Sequence, residues 1–490
     1  MTPAERVLPA QPLSSLADHI ERGGGRGLES ARSMDPGEVI EIVRAAGMRG
    51  RGGSGFPTAV KWGTVAAYHS AIAPTTVVVN AAEGEPGCFK DRELLRRDPY
   101  GVLEGGLIAA HAVGADSVIV AIKRTFTDVA TRVDDAITEL ETAGWCDGVK
   151  IGIFEGPSEY LFGEETALLE TIDGRYPFPR VAPPFRRGVD EIVDSPADVG
   201  TGSSSAAHVE IAGSSDENIG APTLVSNAES LAHIPAILAR GAEWFREVGT
   251  EESPGTIVCT ISGQVRRPGV GEVVMGTTLR DAIDTIGGGP LPGRQVQAVM
   301  SGVSSALVTA EQLDTPLTYE AMAAIGAGLG AGGFLVYDDT TSPVGIAAGV
   351  AHFLAVESCG QCRHCKQDGL DLASVLRRLA ASQAHDDDVV RVRELLDTVA
   401  EGARCNLPYQ QQAVVGSVLD RFAADVDARV HGHAAAVEPE PIAAIRAIDA
   451  DGVHLDEHQF AKQPDWTYDD EYSGKWPADR LDDHRAPEEL

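Results

Sequence analysis

The amino-acid sequence predicts a multi-domain α/β chain: a doubly wound domain built on a parallel sheet, then a small β-grasp-like module, then a helical bundle. Three observations carry this. Short β-branched runs alternate with helical periodicity over residues 35–240, a strand, turn, strand, helix order begins near residue 255, and residues 342–422 carry helical signals only. With 490 residues, 43% of them hydrophobic, the chain exceeds what one core holds, since single cores seldom grow past about 250 to 300 residues.

In the first unit, residues 75–80 (TTVVVN), 117–122 (SVIVAI) and 150–154 (KIGIF) are continuous apolar runs of the kind buried on both faces of a parallel sheet. Residues 91–113 and 127–143 are expected as helices between them, the second capped by Thr127 or Asp128. This alternation implies three layers. Residues 195–220 turn rich in Gly, Ser, Ala and Asp and read as a surface excursion.

In the second unit, residues 256–265 alternate, Arg267, Pro268 and Gly269 make a turn, and residues 271–275 resume a strand. A helix over 278–286 and strands at 297–301 and 334–338 complete it. Helices in the third unit are expected at 371–381, 388–402 and 411–423. Residues 434–490 are acidic and broken by prolines, and read as an extended tail held by Trp466, Tyr468, Tyr472 and Trp476. The expected boundaries are an N-terminal extension over 1–34, then units at 35–250, 251–339 and 340–430, and a tail over 431–490.

The formal net charge of −33 repels nucleic acid and anionic lipid, and its even spread suits solubility. No apolar run approaches the ~20 residues that span a bilayer, and residues 1–12 lack the regions of a signal peptide, so a cytoplasmic protein is expected, peripheral on a membrane complex only through partners. Seven cysteines are few for this length, and three fall within seven residues, which suits ligation in a reducing compartment.

That cysteine group is ESCGQCRHCK, with thiols at Cys359, Cys362 and Cys365, and Cys405 arriving after a helical hairpin. Three thiolates on two-residue spacers converge from one loop and a remote fourth closes the set, the three-and-one division that 4Fe-4S cubanes use. Tetrahedral zinc, the rival, more often pairs two CxxC units. His364 reads as a neighbour of the cluster, and Cys88, Cys146 and Cys259 as structural.

Two further segments suggest a ligand site. In GMRGRGGSGFPTAVKW (47–62) glycines cluster ahead of a helix start, leaving backbone N–H groups free for phosphate or ribityl oxygens, with Lys61 as a cation. The strand 75–80 runs into AAEGEPG, which sets Asn80, Glu83 and Glu85 at the carboxyl end of a parallel strand, where open α/β sheets bind ligands. Downstream, YLFGEETALLETI reads as a helix with Glu164 and Glu165 in its first turn.

Together these residues resemble the flavin-binding, NADH-oxidising subunit of respiratory complex I, and are similar also to the diaphorase subunits of soluble hydrogenases and formate dehydrogenases. The resemblance runs from about residue 35 to 422 through GRGGSGFPTAVKW, NAAEGEPGCFKDR, GEETALLETIDG, PPF (183–185), VSNAESL (225–231) and the cysteine set, in family order. It implies a Rossmann-like flavin domain, a ubiquitin-like middle module and a helical domain with a 4Fe-4S cluster on Cys359, Cys362, Cys365 and Cys405. It implies FMN on Gly50, Gly52, Gly53, Gly55, Lys61, Asn80 and Asn227, with NAD(H) in a cleft lined by Phe56, Glu83, Glu85, Glu164 and Phe185, Glu165 as a further cofactor-binding residue, and Glu83 and Glu85 as the catalytic pair. Hydride from NAD(P)H would reach FMN, and single electrons would pass through the cluster to a redox partner such as a 2Fe-2S subunit, a ferredoxin or a hydrogenase or dehydrogenase module.

The departures from the family pattern gather at the nucleotide. Thr64 replaces an aromatic, Ala82 an aspartate and Ala182 a lysine, each a contact worth roughly 1 kcal/mol or more where it is used. At the flavin, Ser226 replaces the first of two asparagines. The alternative is therefore a flavin and iron-sulfur electron-transfer subunit without a working nicotinamide site.

Overall fold

The computed structural model describes residues 5–69, 74–189 and 221–462. Strands β1 (Thr75–Ala81), β2 (Ala115–Lys123), β3 (Lys150–Gly156) and β4 (Thr223–Asn227) form a parallel sheet in the order β3-β2-β1-β4. Val77, Val78 and Val79 are fully buried, as a strand covered on both faces requires. The order reverses beside β1, so the gap between the carboxyl ends of β1 and β4 is the switch point where such sheets take ligands. There Asn80 is paired in register with Asn227.

The helix expected over 91–113 is two helices, Lys90–Arg97 and Pro99–Val113. Pro99 disfavours helical backbone at Asp98, which sits at φ −144°, ψ 75° and turns its carboxylate to cap the second helix through the amide of Gly101 at 2.9 Å. The helix Thr127–Thr142 ends within a residue of expectation.

The second sheet holds β5 (Thr256–Gly263), β6 (Gly269–Val274), β7 (Val296–Ser301), β8 (Val308–Thr309) and β9 (Gly333–Asp338). Their order is β6-β5-β9-β7-β8, with β5 and β9 parallel at the centre and the helix Leu279–Gly287 crossing between β6 and β7, a β-grasp arrangement. The helices Pro343–Glu357, Arg363–Ala380, Asp386–Thr398 and Leu407–Arg421 make the third unit. The first of these is buried on nearly every side and so shows no amphipathic stripe. Among the described residues no helix is long and apolar enough to cross a membrane.

The expectation of an extended tail from residue 434 is corrected as far as residue 462. Strands β10 (Ile445–Asp449) and β11 (Gly452–Leu455) pair antiparallel, Ile442, Ala443 and Ile445 are buried, and Ile445 O accepts from the Arg92 guanidinium. Gly345 and Gly349 let this segment lie directly on the helix Pro343–Glu357: a Cβ on Gly349 would stand 2.1 Å from Glu440 O. Residues 463–490 with their four aromatics, and the excursion at 195–220, lie outside the described residues.

The N-terminal extension also packs, through short helices Leu16–Glu21 and Arg26–Arg32. His19 is 6% exposed and sits 2.9 Å from Glu104 and 3.3 Å from Asp98. Burial alone would lower its pKa, but hydrogen bonds to Asp98 and Glu104 outweigh it and raise the value to about 9. The stability this provides is complete below about pH 6.5 and is lost as pH rises through 9, up to about 3 kcal/mol in all. Urea unfolding across that range is expected to record the loss, and His19→Gln to abolish it; an unchanged pH slope in the variant would contradict the assignment.

Candidate functional site

The switch point is organised by a buried cation. Lys90, fully buried, holds Asp91 Oδ1 at 2.7 Å, Glu229 Oε2 at 2.9 Å and Asn227 Oδ1 at 3.1 Å. The contact to Glu229 is an ion pair outside hydrogen-bond angles. Asn227 Nδ2 donates to Asp91 Oδ2 at 2.7 Å, so both ends of its amide are fixed. Burial opposes ionisation of Glu229, but the Lys90 charge prevails and brings its pKa down to about 2. Glu229 also accepts the amide of Val258 at 2.8 Å, which ties the first sheet to β5. Asn80 Nδ2 donates to Gly163 O at 2.9 Å, fixing the turn that enters the helix Glu165–Ile172.

The glycine loop closes over this floor. Gly50 N–H donates to Phe56 O at 2.9 Å and Tyr319 OH donates to Gly50 O at 2.6 Å. Arg51, 1% exposed, donates to Thr256 O and Pro254 O, and its amide to Ser230 Oγ at 2.7 Å. Among the described residues the amides of Gly52, Gly53, Ser54 and Gly55 meet no protein acceptor. Gly53 and Gly55 stand at φ +128° and +64°, and a Cβ on Gly52 would press within 3.1 Å of Asn227 Cβ. A row of uncovered donors above a fixed amide suits an oxygen-rich ligand such as the ribityl phosphate of FMN.

Lys61 lies 2.5 Å from Glu165 Oε1, with both side chains about a third exposed. Glu164, expected in the first turn, is instead the N-cap: its carboxylate accepts the amides of Thr166 and Ala167 at 2.9 Å. Phe56 is half exposed, and Phe185 packs on Tyr68 with ring centroids 5.1 Å apart. Thr64 turns its hydroxyl to Val60 O at 2.9 Å, and Ala82 is buried.

The two carboxylates after β1 differ. Glu83 is locked by Arg92 Nε at 2.8 Å and the amide of Asp91 at 3.0 Å; burial opposes its ionisation, yet Arg92 holds its pKa below the usual value. Among the described residues no cation pairs with Glu85. It accepts from Tyr160 OH at 2.6 Å and the amide of Val303 at 2.7 Å, and burial outweighs both in raising its pKa to about 7. Tyr160 OH in turn accepts from Gln410 Nε2 at 2.9 Å, five residues past Cys405. Neither Tyr160, Lys90, Asp91 nor Gln410 was singled out by the sequence pattern. The lysine and aspartate stood unremarked in the matched segment NAAEGEPGCFKDR, because nothing local distinguishes a buried charge from a solvated one.

The four cysteines of the expected cluster line one small pocket, walled by Leu161 and Pro179. Cys359 follows the helix Pro343–Glu357, Cys362 precedes the helix Arg363–Ala380 with Cys365 in its first turn, and Cys405 precedes the helix Leu407–Arg421. Two helix N-termini thus favour the anion that four thiolates make. Four thiols around one pocket, three on one loop and the fourth remote in sequence, suit the cubane that the spacing implied. Lys366 Nζ holds the carbonyls of Ala355 and Ser358 at 2.9 and 3.0 Å, pinning the loop. His364 bonds Asp368 at 3.0 Å, leaving ligation to the thiols. Cys88 and Cys259 are buried and Cys146 partly so.

Known proteins give the same composite. The Nuo51 FMN-binding domain matches residues 43–236, the SLBB domain 258–304, and the NADH-ubiquinone oxidoreductase-F iron-sulfur binding region 345–429. The chain is 35% identical over 431 residues to the F 2 subunit of the NADH-quinone oxidoreductase of Rhizobium meliloti (strain 1021), covering 86% of this chain and 95% of that one. It is 32% identical over 425 residues to the HndC subunit of the NADP-reducing hydrogenase of Solidesulfovibrio fructosivorans, covering 85% and 81%. The crystal structure of an NAD+-reducing [NiFe]-hydrogenase in the H2-reduced state superposes with a TM-score of 0.72 at 30% identity, over 88% of this chain and 68% of that one.

Lys90→Met would leave Asp91 and Glu229 buried without their cation, at a cost of about 3 to 5 kcal/mol. Urea unfolding near neutral pH is expected to record that loss together with loss of retained flavin. Because the Glu229 value is lowered, its share is present above about pH 4.5 and disappears as pH falls toward 2. A variant as stable as wild type would refute this role for Lys90.

Proposed function

Because this chain belongs to the family of NADH-quinone oxidoreductase F subunits, we propose that its switch-point cleft holds FMN and the dinucleotide, and that the four-cysteine cavity holds the cluster. The protein is an FMN and 4Fe-4S oxidoreductase, NADH dehydrogenase-like, that oxidises NAD(P)H and passes electrons to partner subunits. FMN supplies the chemistry that converts a hydride pair into single electrons, which the iron-sulfur centre can carry. The observation that carries the assignment is Asn227, paired in register with Asn80 and fixed by Lys90 and Asp91 beneath the uncovered amides of residues 52–55.

In this reading the amides of Gly52, Gly53 and Gly55, the loop-closing Gly50 and the Lys61 ammonium take the phosphate and ribityl oxygens, while Asn80 and Asn227 meet the ring system. Phe56 and Phe185 offer apolar faces to the dinucleotide, and Glu164 and Glu165 line its entry. Glu83 acts at a distance by fixing Arg92 and the backbone of Asp91. Glu85, with a pKa near 7, is the carboxyl able to hold or release a proton beside the cleft at neutral pH. Tyr160 and Gln410 join that carboxyl to the helix that follows Cys405. The units run 35–250, 251–339 and 340–430, the location is cytoplasmic, and the acceptor is a 2Fe-2S subunit, a ferredoxin or a hydrogenase or dehydrogenase module.

A second reading, a flavin and cluster subunit without nicotinamide binding, draws on Thr64 bonded to its own helix and Ala82 buried, so that neither supplies a nucleotide contact. Anaerobic absorbance separates the two. Flavin bands that bleach on NADH addition are expected; bands that persist until dithionite is added would favour the second reading. Thr64→Phe is expected to lower KM for NADH several-fold by restoring a stacking face worth about 1 kcal/mol, with flavin content unchanged. A KM that stays put would remove Thr64 from the nucleotide site.

A further inference from the structure

The β-grasp module and the terminal hairpin enclose a cleft of about 660 Å³ that the proposed reaction leaves unused. Strand alternation sends Ile257, Cys259 and Ile261 of β5 into the module's own core, and sends Ser262, beside Leu335 and Tyr337 of β9, out of the opposite face. Over that face lies the hairpin of β10 and β11, which contributes Ile445, Val453 and Leu455. The turn between β5 and β6 supplies Arg266 and Arg267, and the segment leading into the hairpin supplies Glu440 and Pro441. The hairpin lies past residue 429 and so outside every family-matched region.

Polar groups without partners converge on this cleft. Ser262 is 1% exposed, and its Oγ has no hydrogen-bond partner. The hydroxyl of Tyr337, itself 6% exposed, meets no donor or acceptor among the described residues. Glu440 is partly buried and pairs with no cation among them, and burial raises its pKa. Arg267 has no carboxylate partner there, and Arg266 commits only its Nε, to Pro290 O at 2.9 Å. Asp449, also on the cleft, is already met by His454 and by the Asp451 amide, both at 2.9 Å. Buried polar groups are hydrogen-bonded as a rule, and a set left open around one cavity is the complement of a ligand.

From this we propose that the cleft between the β-grasp module and the terminal hairpin binds a nucleoside monophosphate. Two adjacent guanidinium groups match the nearly two charges of a phosphate monoester, where a carboxylate ligand would answer only one. A carboxylate without a cation accepts the vicinal hydroxyls of a ribose, as acidic side chains do at other nucleotide sites. Pro441, Ile445, Val453 and Leu455 offer apolar faces to a flat ring, and Ser262 and Tyr337 offer it hydrogen bonds. The volume lies within the range of small-molecule pockets and leaves room for phosphate, sugar and base together. The site is separate from the switch point and does not rest on the flavin or the cluster. Ile445 O also accepts from the Arg92 guanidinium, so the hairpin that closes the cleft is anchored to the first unit.

The test is calorimetric titration of the full-length holoprotein with AMP, GMP, CMP and UMP. At least one is expected to bind wild type, and to bind more than about tenfold more weakly to Arg266→Ala with Arg267→Ala. Glu440→Ala is expected to weaken it several-fold, and Phe56→Ala, at the proposed dinucleotide cleft, to leave it unchanged. Flavin and cluster absorbance, recorded on each variant, certify that the fold is intact. Hydrogen exchange is expected to show residues 445–455 protected by the nucleotide in wild type and not in the double variant. Four nucleotides that all fail to bind, an affinity unchanged by the double substitution or lost in Phe56→Ala, or inorganic phosphate bound as tightly as the nucleotide would overturn the proposal.

Discussion

The buried ammonium of Lys90 is the constraint around which the switch point is arranged. It neutralises one carboxylate from its own helix and one from the helix after β4, and it fixes the amide of Asn227 between them. Buried charge is costly unless each member is paired and hydrogen-bonded, so the cluster tolerates one geometry and transmits it. Glu229 passes it to β5 through the Val258 amide, and Asn80, opposite Asn227, passes it to the turn at Gly163. The glycine loop lies over a floor that cannot shift without stranding a charge.

A second set of contacts sets the cleft against the cluster. Tyr160 donates through its hydroxyl to Glu85, accepts there from Gln410, and gives its amide to Glu357 at 3.0 Å, at the end of the helix that leads into Cys359. Glu357 in turn is met by Lys462 at 2.8 Å, at the end of the described C-terminal segment. That segment crosses the helix Pro343–Glu357 on Gly345 and Gly349 and reaches Arg92 in the first unit. One buried carboxylate thus receives the cleft from one side and the terminal strap from the other.

The sequence was most legible where a pattern is periodic or a ligand set has fixed spacing. β1, β2 and β3, the helix over 127–142 and the β-grasp order could be read from apolar runs and turns, and the cysteine spacing led to one cavity. β4 escaped because three of its five residues, TLVSN, are polar. The break at Asp98 and Pro99 escaped because apolar periodicity continues across it, and β10 and β11 because an acidic, proline-marked composition masked a short alternation. At the site, Asn80 and Asn227 were legible as a resemblance. Lys90, Asp91 and Tyr160 act through burial and long-range pairing, which no local window contains.

The central claim is that one chain both takes electrons from NADH and holds them on its own cluster. Electron paramagnetic resonance of the anaerobic holoprotein, frozen after NADH addition, tests it most directly. The account predicts the signal of a reduced 4Fe-4S centre with NADH alone, at an intensity approaching that given by dithionite, and its disappearance in Cys405→Ala. A signal that arises with dithionite but not with NADH would contradict it.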